Sequence, residues 1–272
     1  MRRPYVQWLA RAGYAARGLV FVILAYFTAA AAIARGQPVG GTDALRTLLW
    51  APLGSALVAM LTVGLLCFAL WREAQFILDL DRIGSDAMGL ARRVAYGGAG
   101  VFYAGFALVS LSMLVGPDVA TSEGEVHDWS AWLLHQPFGR VALGAIGVAI
   151  IIAAVCIGVA GTRAQFRRRI ELEPAARRLV AALGCVGYLT RAAVFLLIGV
   201  FIIFAAFRSN PREAAGLAGA LMAIKDQAYG GVLLAVTALG LLAFGAYGLA
   251  EALYRRIDGQ RITGKVPSWL SV

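Results

Sequence analysis

The sequence predicts an all-α integral membrane protein of six transmembrane helices, arranged as three parallel helical-hairpin repeats. Three observations carry this: a very apolar composition, charges gathered into short segments, and a threefold recurrence of the same motifs. The chain has 272 residues, of which 60% are hydrophobic and 15% charged, with a mean hydropathy of +0.75. Soluble domains carry charge on about a quarter of their residues, so the class is membrane protein.

Uncharged windows run from Thr47 to Trp71, Val94 to Pro117, Val141 to Thr162 and Gln227 to Ala250. Each holds the roughly 20 residues that a helix needs to cross hydrocarbon. Gly18 to Ala34 and Leu179 to Phe207 reach that length if Arg17 lies at a membrane edge and Arg191 is tolerated inside. The expected spans are therefore about 14–34, 50–72, 94–115, 139–162, 184–207 and 229–250. Met1-Arg2-Arg3 followed by an apolar run and Ala29 to Ala32 also has the look of a cleavable leader. Because the same segment recurs twice downstream, a retained helix is expected.

The net charge of +10 does not point to nucleic acid, since the basic residues sit between spans rather than on a soluble domain. A cytoplasmic N-terminus places 19 of the 25 Lys and Arg residues on the inner side, so the positive-inside rule predicts an inner-membrane protein with both termini cytoplasmic. The loop from Val115 to Phe138 holds Asp118, Glu123, Glu125 and Asp128 without Lys or Arg, as suits an outer loop. Polybasic stretches such as Arg167-Arg168-Arg169 and Arg177-Arg178 are expected to meet a bilayer with anionic headgroups.

Tyr14, Tyr96 and Tyr188 open three matching segments. A second block, from Asp43 to Gly54, recurs from Asp128 to Gly139 and from Gly219 to Gly230. A third begins at Glu73, Arg163 and Glu251. The repeats are 8–86, 87–174 and 175–262, followed by a cytoplasmic tail, 263–272. Each connector carries a short amphipathic stretch, with Leu45, Leu48 and Leu49 in one copy and Trp129, Trp132 and Leu133 in the next, predicted to lie in the interface. Pro52 and Pro137 are expected in the first turn of the following span. With two spans per unit all copies enter the membrane in one direction, giving a pseudo-threefold bundle about the membrane normal.

These blocks resemble the bacterial membrane family called domain of unknown function 1206, through Ala10 to Gly18, Gln136 to Arg140 and Gly245 to Ala252. The resemblance spans about Trp8 to Arg261 and implies three two-span repeats, but no activity. The second unit departs by carrying Ala99 where its neighbours have Arg17 and Arg191.

Arg17 and Arg191 are the first functional candidates, because a cation in a span costs about 2.5 to 3.5 kcal/mol at the helix centre. With Tyr14 and Tyr188 three residues earlier on the same face, they suit contact with an anion or a lipid headgroup. The plainer alternative has each Arg snorkelling to the cytoplasmic surface. Glu73 and Glu251 stand at equivalent exits of second spans and are candidates for structural ion pairs with a neighbouring Arg. No carboxylate or His is expected deep in a span, which argues against ion-coupled transport.

His127 and His135 lie near acidic residues without a recognised metal spacing, and Cys67, Cys156 and Cys185 form no CxxC pair, so neither metal nor cofactor is expected. Nucleotide, zinc-protease and hydrolase motifs are missing, so no enzyme is expected. Abundant glycines in the spans favour close helix packing, within the chain or with a homo-oligomer or membrane partner. The leading reading is a non-catalytic, self-associating or accessory membrane scaffold. The alternative is a pore or facilitative transporter for a small anionic solute.

Overall fold

A computed structural model describes residues 4–33, 37–81, 84, 86–116, 122–163 and 173–254. Arg2, Arg167 to Arg169, the exit from Arg255 onward and the tail 263–272 lie outside the described residues. The described chain is helical. Six helices are long and apolar enough to cross a membrane: α1 (Pro4–Ile33), α3 (Gly54–Leu78), α4 (Ala87–Val115), α6 (Gly139–Arg163), α7 (Pro174–Arg208) and α9 (Gly230–Tyr254). Three shorter helices join them in pairs: α2 (Gly41–Leu49), α5 (Ser122–Leu134) and α8 (Leu217–Lys225). The protein is a multi-pass membrane protein.

The helices run further at the ends opposite the connectors than hydropathy suggests. Charge ends a hydropathy window but does not end a helix whose backbone bonds continue, so α3 and α9 extend past Glu73 and Glu251.

Each second span opens on a glycine. A side chain at Gly54, Gly139 or Gly230 would strike the carbonyl of Leu48, Leu133 or Lys225 in the preceding short helix. That close return is why the three second spans, 25 residues each, begin in step. Pro52 and Pro137 fall in the turn rather than in the first helical turn. Leu53 and Phe138, at φ 61° and 62°, stand between proline and glycine in the left-handed region and hold the helix off by one residue.

Each first span packs chiefly on a second span of another unit: α1 on α9, α4 on α3 and α7 on α6. Glycines bring the backbones together, with Gly18 against Gly245 and Leu249, Gly100 against Glu73, and Gly147 against Gly199 and Ile203. Within a unit, α1 packs on α3 and α7 on α9. Gly13 lies against the Phe68 backbone and Gly187 against that of Phe244. Among the described residues no comparable packing joins α4 to α6, so the six spans follow the order α4, α3, α1, α9, α7, α6 around an arc that stays open at that seam.

The short helices cap one end of the bundle. Leu45 is buried in the main core with Leu61, Leu65 and Tyr103, and Leu48 and Leu49 pack against it. Trp129 and Leu133 of α5 pack against Leu143 and Ile202, whereas Trp132 turns outward, 64% exposed, and does not share their face.

Candidate functional site

Counting the second spans from their opening glycines sets the register of the site. Val58, Leu65, Phe68 and Trp71 of α3 then match Leu234, Leu241, Phe244 and Tyr247 of α9, and all eight are buried. On this count Glu251 corresponds to Gln75, and Glu73 corresponds to Leu249. The equivalence of Glu73 and Glu251 expected from the sequence is therefore corrected. Packing agrees, since Leu249 lies on Gly18 and Glu73 on Gly100, the same position of two first spans.

Arg17 lies deep between helices, 1% exposed, and its Nη2 donates to Glu251 Oε2 at 2.7 Å. It does not snorkel. Its guanidinium is enclosed by the rings of Tyr14, Phe68 and Phe244, each about 5 Å away, which desolvate it and face it with their negative quadrupoles. A buried cation so enclosed needs a carboxylate, and Glu251 supplies it. Tyr14 is fixed from its other side, accepting a 3.2 Å hydrogen bond from Trp71 Nε1 and meeting Phe68 edge to face.

Arg191 has the place in α7 that Arg17 has in α1, but not the partner. Its guanidinium lies over Phe21, Phe195 and Phe244 at 5.0 to 5.6 Å. Its Nε is buried without a hydrogen-bond partner, and among the described residues no carboxylate reaches it. The register explains the difference, because the residue of α6 matching Glu251 is Ala160. In the remaining interface the matching residues are Ala99 and Gln75, so both charges are lost together.

Arg72 adds a third cation. It lies over Phe68 and Tyr96 at about 5 Å and donates to Gln75 Oε1 at 3.0 Å, and Gln75 Nε2 passes the chain to Asp81 at 2.9 Å. Phe244 is shared by Arg17 and Arg191, and Phe68 by Arg17 and Arg72. Arg17 and Arg72 are close enough to act electrostatically on Arg191, and all three cations act on the half-buried Tyr188. They stand sixteen to eighteen residues from the connector ends of α1, α3 and α7, about 24 to 27 Å along the axis. In a ~30 Å hydrocarbon layer that begins at the connector ends, this depth corresponds to the far boundary.

The sequence singled out Arg17, Arg191, Tyr14, Tyr188, Glu73 and Glu251, and the structure brings all but Glu73 to this cluster. Glu73 points at Gly100 of α4, with Oε1 buried and unpartnered. Missed were Arg72, Gln75 and the two shared rings. Their signal was the common spacing of Phe68 and Phe244 from Gly54 and Gly230. In α5, partial burial and the nearby Asp43 push the Glu125 carboxyl above its ordinary pKa. Among the described residues no group of three or more His, Cys, Asp or Glu forms a metal site, and the side chain of Glu123 is outside them.

This chain is similar to "Uncharacterized protein YxxB" of Bacillus subtilis (strain 168), with 31% identity over 266 residues, 95% of this chain and 94% of the relative. No solved structure matches it. A family model described as Domain of Unknown Function (DUF1206) matches three tandem segments, residues 12–75, 94–164 and 186–255, one for each pair of spans. With the three segments covering most of the chain, this protein belongs to the DUF1206 family.

Proposed function

We propose that this protein is a non-catalytic membrane scaffold that holds an anionic group at Arg191. The observation that carries this reading is the half-pair: Arg191 keeps the aromatic stacking of Arg17 and is itself half-buried, while Ala160 stands where Arg17 has a carboxylate. A desolvated guanidinium without a counter-ion is costly in a bilayer, and a phosphate or carboxylate of a ligand relieves that cost. The fixed aromatic walls favour holding over passage.

The scaffold is a pseudo-threefold arrangement about the membrane normal, with each first span on the preceding unit's second span and α2, α5 and α8 at the outer interface. Both termini face the cytoplasm of a bacterial inner membrane. Cysteines placed at Ser209 are then labelled from outside the cell and cysteines at Ala175 are not; the reverse pattern inverts the orientation.

The binding test is thermal unfolding of the purified protein in neutral detergent, with inorganic phosphate against chloride at constant ionic strength. Phosphate raises the melting temperature of the wild type and of Arg191→Lys but not of Arg191→Gln. An equal response from all three overturns the reading. The transporter alternative gains ground only if proteoliposomes carry phosphate faster than protein-free vesicles.

A further inference from the structure

Three inward positions of the second spans are large in two copies and small in the third. Phe68, Trp71 and Gln75 of α3 match Phe244, Tyr247 and Glu251 of α9, all six buried. In α6 the same positions are Ala153, Cys156 and Ala160, and the last two are exposed. One substitution pattern therefore has two effects. It removes the ring and the acid that Arg191 would otherwise meet, and it leaves α6 with nothing bulky at these three positions to set against α4. On the α4 side, Ala95 replaces the packing glycines Gly13 and Gly187, and a Cβ at Gly98 or Gly105 would meet nothing within 4 Å.

The open seam and the unpaired cation are consequently one feature. The seam is apolar along the membrane-spanning length of α6 and α4, and the unpaired charge stands near one hydrocarbon boundary. That is the pattern of a phospholipid: an anionic phosphate at the boundary, with acyl chains running into the bilayer.

We infer that the seam between α4 and α6 is a lateral binding site for an anionic phospholipid, whose phosphate takes the place of the missing carboxylate beside Arg191. Its acyl chain lies along Ala153, Cys156 and Ala160. This inference rests on the anion-holding reading above and adds the source of the anion and its route of entry. A zwitterionic lipid carries its own cation and gains less from Arg191, so the site discriminates by net headgroup charge. Entry is sideways from the leaflet, which asks for no aqueous path through the bundle.

The test is native mass spectrometry of the full chain released from detergent, with phosphatidylglycerol or phosphatidylcholine added, beside the phosphate melting assay. The wild type retains one phosphatidylglycerol at least fivefold better than phosphatidylcholine. Ala160→Glu supplies the internal carboxylate, loses that preference and loses the phosphate response. Gly105→Leu fills the α4 side of the seam away from Arg191, loses the lipid and keeps the phosphate response. Both substitutions enlarge residues that are exposed or half-buried, and wild-type-like melting checks that they fold. In a Cys67→Ala, Cys185→Ala background, phosphatidylglycerol but not phosphatidylcholine slows maleimide labelling of Cys156. Equal retention of both lipids, or retention unchanged in Gly105→Leu, overturns the lipid inference while a phosphate response leaves anion holding intact. Loss of both lipid preference and phosphate response in the wild type overturns both.

Discussion

In the first and third units the two spans of a hairpin touch, glycine on phenylalanine, whereas in the second each span leans on a neighbouring unit instead. Gly13 on Phe68 and Gly187 on Phe244 have Ala95 and Ala153 as their counterparts. The outcome shows in burial: 56% of the most apolar window of α9 is buried within the protein, against 17% for α6. A repeat can thus preserve its turn, its length and its hydropathy while losing the contact that makes it a hairpin. Hydrocarbon accepts either arrangement, because lipid tails are as apolar as the side chains they replace.

The largest expected effect is in the closed region. Glu251→Ala strands Arg17 among three rings and lowers stability by about 3 to 5 kcal/mol in thermal or denaturant unfolding. The paired change Arg17→Met with Glu251→Leu recovers most of it, since both charges leave together. A loss for Glu251→Ala no larger than that of an exposed salt bridge would mean that water reaches the pair and that the closed region is open to solvent.

Glycine substitutions draw the same contrast next. Gly187→Ala forces a methyl group onto the Phe244 backbone, 2.6 Å away, and costs about 1 to 3 kcal/mol. Gly98→Ala enters open space and is neutral or raises stability by up to about 1 kcal/mol. Equal losses at both positions, read by melting in one detergent, would show that the seam is packed.

Trp71→Phe keeps an aromatic but removes the donor to Tyr14, lowering stability by about 0.5 to 1.5 kcal/mol. Tyr247→Phe removes a phenol hydroxyl rather than an indole donor, so the ratio of the losses from Trp71→Phe and Tyr247→Phe measures how far the two closed hairpins differ.

The smallest effect concerns Glu125 in the connector of the open unit. Its folded pKa lies above the ordinary 4.5, because burial and Asp43 disfavour its charged form. The folded state therefore binds the proton more tightly than the unfolded state. Its contribution is full below about 4.5 and is lost as pH rises through the raised folded value. Glu125→Gln removes that dependence and slightly stabilises the neutral-pH protein. A pH–melting curve unchanged by the substitution would place Glu125 in water.

Spans and repeats were legible in the sequence because both are local properties: hydropathy over about 20 residues, and turn residues recurring in order. The site was legible in its outline. Arg17 and Arg191 stand out because cations in spans are rare. The partner of Arg17 was harder to place, because aligning the second spans by their charged exits pairs Glu251 with Glu73, and only the close packing at Gly54 and Gly230 fixes Gln75 as the match. The open seam left no trace in hydropathy, since alanine for phenylalanine remains apolar. Trp132 shows a related limit: helical spacing gives a shared face, but the neighbours that face meets decide which of its residues are covered.

The packing of α1 on α9 bears on how the chain is made. Arg17 leaves the ribosome 234 residues before its carboxylate, so for nearly all of synthesis the first helix waits in the membrane with an unneutralised charge. Stable insertion of the N-terminal helix is therefore a late event, completed by the C-terminal one. A truncated chain lacking α9 is expected to be a substrate for membrane quality control, however complete its earlier repeats.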